Sequence, residues 1–374
     1  MAQLLSLSRR RFLAGGAALP AGGAARLLGA EVPPRVLTVD EWVRKLAAEA
    51  PLALEFHGQT AQECRRWQGG FAAKLRTLLG PHQPPATWQT TVERVVERKD
   101  HRREEFVLTA SGHPPLPVYL LLPRDQGPKP RAGVLALHGH GRFGYDTVAG
   151  CDDRPGVAND IKKLHYDYGR QLVRRGYVVA VPCLTPFGRR LDDRAAYHGQ
   201  DPCGVTFVRL QLLGKVLMAE NLRDCLWALE LLARHERVDA RRLACVGLSY
   251  GGRMTMLTAA LEPRIRVAVV SGALNVMQER VGTRYSCGAQ VIPGLLRYGD
   301  VPEIGSLIAP RPCVWEVGSR DELIVPAWEK KALERLRRAY RALGAEGQLH
   351  VDRFEGGHEW GGSIGYPLLQ KVLK

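Results

Sequence analysis

The feature that most constrains the fold of this chain is a serine between two glycines, Gly-Leu-Ser-Tyr-Gly at residues 247–251. A short apolar run at 243–246 has the composition of a buried strand, and a helical pattern covers 253–261. A turn this sharp leaves little room for side chains, which explains a glycine on each side of the serine. The pattern therefore predicts that Ser249 stands above the end of a strand, in a nucleophile elbow.

The rest of the chain alternates between apolar strand patterns and helical patterns. Residues 88–122 follow a period of two, typical of antiparallel strands, and longer strand–helix alternation follows. The predicted buried strands are 134–137, 177–182, 243–246, 267–271, 313–317 and 349–354, and the main predicted helices are 60–79, 158–175, 207–235, 253–261, 326–343 and 367–373. This order predicts an α/β fold, with a mostly parallel, doubly wound sheet and helices on both faces.

The N-terminus has the residue pattern of an export signal. Residues 8–13, Ser-Arg-Arg-Arg-Phe-Leu, resemble the twin-arginine export motif, and a Gly/Ala-rich stretch follows to Ala30. We therefore predict a signal peptide at 1–30, an N-terminal helical extension at 31–84, and a catalytic domain at 85–374. The mature protein is expected in the periplasm or secreted, without a membrane anchor, because no other segment is long and apolar enough to span a bilayer.

The charge of the chain argues against a nucleic-acid partner. The formal net charge is +15, but the basic residues outside the N-terminus are scattered in short pairs such as Arg241-Arg242. No basic run is interleaved with aromatic side chains, so a solvated basic surface is the expected arrangement.

The eight cysteines contain no Cys-x-x-Cys pair, so neither a zinc ribbon nor a thioredoxin motif is predicted. Cys225, Cys245 and Cys313 lie in apolar runs and are expected to be buried thiols. Cys151, Cys203 and Cys287 lie in predicted loops, where an oxidising compartment would allow pairing. The sequence does not determine which of them would pair.

Chain order selects an acid and a base to accompany the serine. Only His350 and His358 follow it, and His358 stands after the last strand in Gly-Gly-His-Glu-Trp, where a loop can hold an imidazole over the sheet. Asp321 follows the strand at 313–317 and is the predicted acid, which would orient the imidazole. Glu322 is the alternative acid, and Glu316 is predicted to be structural because it lies within the strand.

An oxyanion hole needs two backbone N–H groups. We predict that one comes from Tyr250 and the other from His140, in the His-Gly-His-Gly turn at 138–141 that follows an early strand. The competing interpretation of this turn is a metal site. That site would use His138 and His140 with Asp152 or Asp153.

These motifs together resemble the α/β-hydrolase superfamily, in its dienelactone hydrolase/acetyl xylan esterase-like branch. The resemblance extends from about Pro117 to the C-terminus and rests on the elbow and four further segments, which are 138–141, 238–239, 308–312 and 354–358. Dienelactone hydrolases proper use a cysteine nucleophile, whereas this chain has Ser249. The resemblance implies a carboxylic-ester hydrolase that acts on carbohydrate or small acyl esters through a Ser-His-Asp triad, without metal or organic cofactor.

Substrate selection is expected to come from irregular loops at 186–190, 201–203 and 285–287. Arg189 or Arg190 would bind an acidic or hydroxylated substrate, or else form ion pairs that fix the loop. Trp360, beside the base, is either a sugar-stacking surface or part of the packing of the histidine loop.

Two other functions share this residue order. The first is a serine peptidase of the prolyl-oligopeptidase type, although the segment before the sheet is too short for the propeller of that class. The second is a non-catalytic binding protein on a hydrolase scaffold, which would not need an intact serine, acid and histidine.

Overall fold

A single twisted sheet of nine strands organises the molecule. The computed structural model describes residues 35–125, 127, 129–284 and 286–374, and the signal peptide predicted at 1–30 lies outside them. The spatial order of the strands is β1-β2-β3-β5-β4-β6-β7-β8-β9. The strands are β1 Gln89–Glu97, β2 His101–Ala110, β3 His113–Pro123, β4 Arg131–Leu137, β5 Val178–Pro182, β6 Val238–Leu248, β7 Ile265–Ser271, β8 Cys313–Gly318 and β9 Leu349–Phe354.

The sheet divides into an antiparallel edge and a parallel remainder. Strands β1, β2, β3 and β5 pair antiparallel in that order, whereas β5, β4, β6, β7, β8 and β9 pair parallel. Alternate residues of β6 enter two separate cores, with Leu243 and Cys245 on one face and Ala244 and Val246 on the other. Both faces are therefore buried under helices, and the predicted α/β fold is confirmed.

Twelve α-helices are formed by the described residues. Several of them match the predicted helices within a few residues. They are α1 Val39–Ala48, α2 Ala61–Leu79, α3 Tyr145–Val148, α4 Val157–Leu164, α5 Tyr168–Arg174, α6 Pro202–Leu212, α7 Leu217–Arg234, α8 Tyr250–Leu261, α9 Met277–Arg280, α10 Val301–Ser306, α11 Pro326–Ala342 and α12 Gly365–Val372.

Two of the predicted helices are wrong in length, because each is interrupted. The helix predicted at 158–175 is split into α4 and α5 at His165, which has a φ of +54°. The helix predicted at 207–235 is split into α6 and α7, and Gly214 between them has a φ of +69°. Left-handed backbone cannot continue a right-handed helix, and glycine adopts it at little cost.

The N-terminal helices belong to the same compact unit as the sheet, which comprises residues 39–374. Helix α2 begins with a capping box between Thr60 and Glu63. Its Gln68 side chain donates to the carbonyls of Ser306 (3.0 Å) and Ala309 (2.8 Å). The predicted extension is therefore integrated into the fold through contacts that are distant in sequence.

No helix of the described ranges is by itself long and apolar enough to cross a membrane. Helices α6 and α7, taken together, meet the length and composition test, but the pair is bent by 99°.

Candidate active site

Ser249 occupies the turn between β6 and α8, as predicted. Its backbone has a φ of +63° and a ψ of −120°, a conformation that non-glycine residues rarely adopt. The Ser249 N–H donates to the carbonyl of Ser271 (2.9 Å), and its own carbonyl accepts from the N–H of Arg253 (3.0 Å). These bonds hold a strained backbone in place, which is typical of a nucleophile elbow.

The glycines around Ser249 are there because backbone segments meet closely. A Cβ atom on Gly247 would lie 2.5 Å from the carbonyl carbon of Gly251, and one on Gly251 would lie 1.9 Å from the carbonyl oxygen of Leu137. A Cβ on Gly139 would lie 3.0 Å from the Cβ of Ser249. The turn after β4 therefore passes directly beside the serine, where an oxyanion-binding loop is expected.

The predicted acid and base are in contact. The Nδ1 atom of His358 lies 2.7 Å from Oδ2 of Asp321, and the other carboxylate oxygen accepts from the N–H of Leu323 (2.9 Å). The Asp321 side chain is 1% exposed and the His358 side chain 23% exposed. A buried carboxylate at Nδ1 fixes the ring and places the basic lone pair on Nε2. Glu322, the alternative acid, is exposed and has no such contact among the described residues.

The His358 ring rests on Gly272, a residue that the sequence analysis did not single out. A Cβ atom on Gly272 would lie 2.8 Å from Cε1 of the imidazole, and the residue has a φ of +58°. Gly272 directly follows Ser271, whose carbonyl holds the Ser249 N–H. The histidine thus lies at the end of β7, next to the strand that ends at the serine, and its Nε2 atom is buried without a hydrogen-bond partner among the described residues.

Tyr250, the predicted oxyanion donor next to the serine, is fixed by an asparagine that the sequence analysis also missed. The Asn221 Nδ2 atom donates to the fully buried Tyr250 hydroxyl (2.6 Å) and to the Thr185 carbonyl (2.8 Å). Burial raises the pKa of Tyr250 well above its ordinary value, so the side chain is neutral. The other predicted donor, His140, is exposed, and its ring centroid lies 5.2 Å from that of Tyr250.

The metal site considered for the His-Gly-His-Gly turn is wrong. His138 is fully buried; its Nδ1 lies 2.8 Å from the Gly139 carbonyl, and its Nε2 accepts from the N–H of Leu184 (3.0 Å). Burial lowers the pKa of His138 to about 4, which keeps the ring neutral. Asp152 and Asp153 pair instead with Arg170 and Arg103, at 2.7 Å and 2.9 Å.

The structure places the two candidate substrate arginines in ion pairs, the alternative that the sequence left open. Arg189 forms a bidentate ion pair with Glu93 of β1, in which Nη2 donates to Oε1 at 3.1 Å. Arg190 is largely buried, pairs with the buried Asp224 of α7, and donates to the Cys183 carbonyl (3.2 Å). Both guanidinium groups therefore fix the loop after β5.

Trp360 is part of the packing and does not provide an exposed sugar-stacking surface. Its side chain is 3% exposed and stacks on Tyr168 with ring centroids 4.5 Å apart. The indole N–H donates to the Tyr366 hydroxyl (2.8 Å). These contacts anchor the loop that carries His358.

Glu316 of β8 supports the loop that carries His358, in the structural role predicted for it. Its carboxylate is 1% exposed and accepts from the N–H groups of Gly362 (2.8 Å) and Gly361 (3.4 Å). Burial raises the pKa of Glu316 to about 7 from its ordinary 4.5, so the carboxyl group is neutral at mildly acidic pH. The folded chain must bury a charge here when the pH rises.

This arrangement predicts a pH-dependent effect of Glu316→Gln. Well below pH 4.5, the Glu316 carboxyl group of the wild type is protonated in both the folded and the unfolded chain. As the pH rises it ionises near pH 4.5 in the unfolded chain but only near pH 7 in the folded protein. The wild type should therefore lose about 3 kcal/mol of stability relative to the variant between pH 4.5 and pH 8. Urea unfolding of both proteins at pH 5 and pH 8 measures this difference, and parallel pH profiles would contradict it.

All eight cysteines lie among the described residues, where they are buried and form no disulfide. Cys151 stands apart from Cys203 and Cys287, which lie together beside His140. Hydrogen bonds from Cys203 and His140 lower the pKa of Cys287 below that of an ordinary thiol.

The fold and the elbow together define a class, the α/β-hydrolases, in which a serine at a strand end is served by a histidine and an acid from later strands. Comparison with known proteins agrees. The prolyl oligopeptidase family matches residues 209–281, which include Ser249. The Bacillus subtilis (strain 168) protein named "Putative hydrolase YtaP" is 30% identical over 302 residues, 76% of this chain and 92% of the relative. The chain belongs to the same family of α/β-hydrolases and is a hydrolase of that superfamily.

Solved structures share the fold at low sequence identity. A Bacteroides fragilis protein named "putative acetyl xylan esterase" has a TM-score of 0.70 and 20% identity, covering 86% of this chain and 83% of that one. A glucuronoyl esterase from Solibacter usitatus has a TM-score of 0.61 and 15% identity, covering 87% and 98%. An acetyl xylan esterase from Paenibacillus sp. R4 has a TM-score of 0.55 and 18% identity, covering 88% and 98%. The fold predicted from the motifs is confirmed.

Proposed function

We propose that this protein is an exported serine carboxylic-ester hydrolase with Ser249 as nucleophile, His358 as base and Asp321 as acid. The observation that carries the proposal is the 2.7 Å contact between Asp321 and His358, at the same end of the parallel sheet as the elbow. Because Nδ1 is held by the carboxylate and Nε2 has no hydrogen-bond partner among the described residues, Nε2 is the nitrogen available to take a proton. An acid, a base and a strained serine together support acyl transfer.

The proposed reaction follows the residues. Ser249 attacks the ester carbonyl while Nε2 of His358 takes the hydroxyl proton, and Asp321 stabilises the imidazolium that forms. The N–H groups of Tyr250 and His140 stabilise the tetrahedral oxyanion, a contribution on the order of 10²–10³ in rate for each donor. His358 then protonates the leaving alcohol, and water releases the acid from the acyl-enzyme by the same steps.

Carbohydrate esters and small acyl esters, acetyl esters among them, are the proposed substrates. Support comes from the names of the structural neighbours, which include acetyl xylan and glucuronoyl esterases. The match of residues 209–281 to the prolyl oligopeptidase family favours a second candidate, a serine peptidase. Peptide amides have a poorer leaving group, so an enzyme adapted to esters should discriminate strongly between the two.

A substrate panel tests this proposal. We expect hydrolysis of p-nitrophenyl acetate and of acetylated xylan or monosaccharides, with little turnover of peptide p-nitroanilides. Amide turnover as efficient as ester turnover would support the peptidase instead. A methyl ester of glucuronic acid in the same panel tests which part of the ester the sugar must form. The sugar is the acyl group in this ester, whereas it is the alcohol in an acetylated sugar.

Export is proposed on the Ser-Arg-Arg-Arg-Phe-Leu motif at 8–13. Recovery of the mature chain from the periplasm would support it, and retention of the full chain in the cytoplasm would contradict it.

A further inference from the structure

Three side chains from distant parts of the chain converge beside the turn that follows β4. One nitrogen of His140 and the Sγ atoms of Cys203 and Cys287 all lie within 4.8 Å of one another. Both thiols are buried and the imidazole is exposed. No step of the proposed ester hydrolysis uses either thiol. Both cysteines are buried in the core on one face of the sheet, but neither lies in a strand. Their convergence needs another explanation.

We propose that His140, Cys203 and Cys287 form a binding site for a soft divalent cation of the Zn²⁺ type. Two thiolates and one imidazole form a ligand set that Zn²⁺ accepts, with Zn–S bonds of about 2.3 Å and Zn–N bonds of about 2.0–2.1 Å. A tetrahedron with these bond lengths places its ligand atoms less than 4 Å apart, which a small inward movement from the observed spacing would achieve. Because His140 is exposed, water can reach the ion and occupy the fourth coordination position.

The backbone around the two cysteines is held firmly enough to keep such a site assembled. Cys203 lies in the first turn of α6, where Asp201 caps the helix by accepting from the N–H groups of Cys203 (3.3 Å) and Gly204 (2.9 Å). Cys287 precedes a 3₁₀ turn, Gly288–Gln290, whose Ala289 N–H lies 3.4 Å from the Cys287 sulfur. The two segments are in contact and present both thiols to one point.

Gly288 shows how close this contact is. A Cβ atom on Gly288 would lie 2.6 Å from the Cβ of Phe207 in α6 and 3.2 Å from the carbonyl oxygen of Cys203. The third ligand is fixed independently, because the His140 ring packs against Phe187 (5.3 Å) and Tyr250 (5.2 Å) between ring centroids. The ligands are thus largely preorganised, which favours binding.

Charge balance is compatible with a divalent cation at this point. Binding would require both thiols to lose their protons, and two thiolates with one divalent ion form a set that is neutral overall. The ion would link the turn beside Ser249, the start of α6 and the segment before Gly288–Gln290. Its expected effect is to stabilise the fold around the site, since a ligand that binds only the folded state raises the unfolding midpoint.

Titration of the reduced, metal-free full-length protein with Co²⁺ tests the proposal, after thiol quantification confirms that Cys203 and Cys287 are reduced. We expect one equivalent to bind, with thiolate-to-cobalt charge-transfer bands, visible bands of four-coordinate Co²⁺, and a raised unfolding midpoint. Cys203→Ser and Cys287→Ser should abolish the charge-transfer bands or reduce them strongly. The control is Cys151→Ser, a buried thiol outside the cluster, which should leave them unchanged.

The remaining outcomes are equally decisive. A reduced wild-type protein without charge-transfer bands would overturn the proposal, as would bands that persist in the double serine variant. A Cys203–Cys287 disulfide that resists reductant in the folded protein would replace the metal site by a structural crosslink and also overturn it. If the serine variants fail to fold, His140→Ala decides, because loss of an exposed ligand should weaken Co²⁺ binding about tenfold or more.

Discussion

Ser249→Ala should reduce kcat for p-nitrophenyl acetate by about 10⁴–10⁶, which leaves only the residual rate supported by the oxyanion hole and by substrate binding. The reason is that the proposed mechanism routes every turnover through an acyl-enzyme on this oxygen. The change removes a single oxygen atom and keeps the backbone bonds from Ser249 to Ser271 and Arg253. The unfolding midpoint should therefore stay close to that of the wild type, as measured by thermal denaturation.

Ser319→Ala is a matched control for this experiment. Ser319 also follows a strand of the sheet, but it is exposed and its hydroxyl donates to Glu355 (2.9 Å) at the surface. It should keep wild-type activity. Equal activity in wild type, Ser249→Ala and Ser319→Ala would mean that the measured hydrolysis does not use the elbow, and would favour a binding protein on a hydrolase scaffold.

The strand framework was predictable because it is encoded locally. Runs such as 134–137 and 267–270 are apolar throughout, as is typical of strands buried on both faces, and all the strands predicted from such runs are present. Helix breaks were harder to predict. Leu210 and Leu217 fit one continuous apolar face, so nothing in the periodicity shows that the chain turns at Gly214. A lone glycine in a helical pattern is compatible with either outcome.

The candidate site likewise has a part that the sequence predicts and a part that it does not. Ser249, Asp321 and His358 were selected as the candidate triad from chain order and strand ends, because the carboxyl ends of parallel strands lie at one edge of the sheet. The residues that support them depend on contacts between distant segments. Gly272 under the imidazole and Asn221 on Tyr250 have no sequence pattern that distinguishes them from other glycines and asparagines. For Gly272, its position directly after a buried strand was the one available signal.

The same limit applies to charged side chains. Arg189 and Arg190 lie in a loop that was expected to overhang the site, and such arginines are suited to bind anions. Their partners, Glu93 and Asp224, lie on β1 and α7, far along the chain in both directions. The sequence alone does not bring these charges together. Choosing between an ion pair and a substrate contact therefore required the fold.

Gly251→Ala should damage both stability and activity, because the elbow and the turn after β4 share the same space. An alanine Cβ would lie 1.9 Å from the Leu137 carbonyl oxygen and 2.9 Å from the His138 carbonyl carbon, both backbone atoms that cannot rotate away. Overpacking of this kind costs about 3 kcal/mol. Because the displaced backbone leads into Gly139 and His140, we also expect kcat to fall by about 10²-fold.

Gly70→Ala separates this steric effect from the general effect of replacing glycine in a helix. Gly70 lies in the interior of α2, is exposed, and would place a Cβ with no atom within 4 Å. The substitution should stabilise the protein by about 1 kcal/mol and leave activity unchanged. Urea unfolding should therefore show opposite stability changes for the same chemical substitution at the two positions, and ester hydrolysis should show a loss of activity for Gly251→Ala alone. If Gly251→Ala were as stable and as active as the wild type, the close approach of β4 to the elbow would not constrain the site, and the position of the oxyanion loop would have to be determined by other contacts.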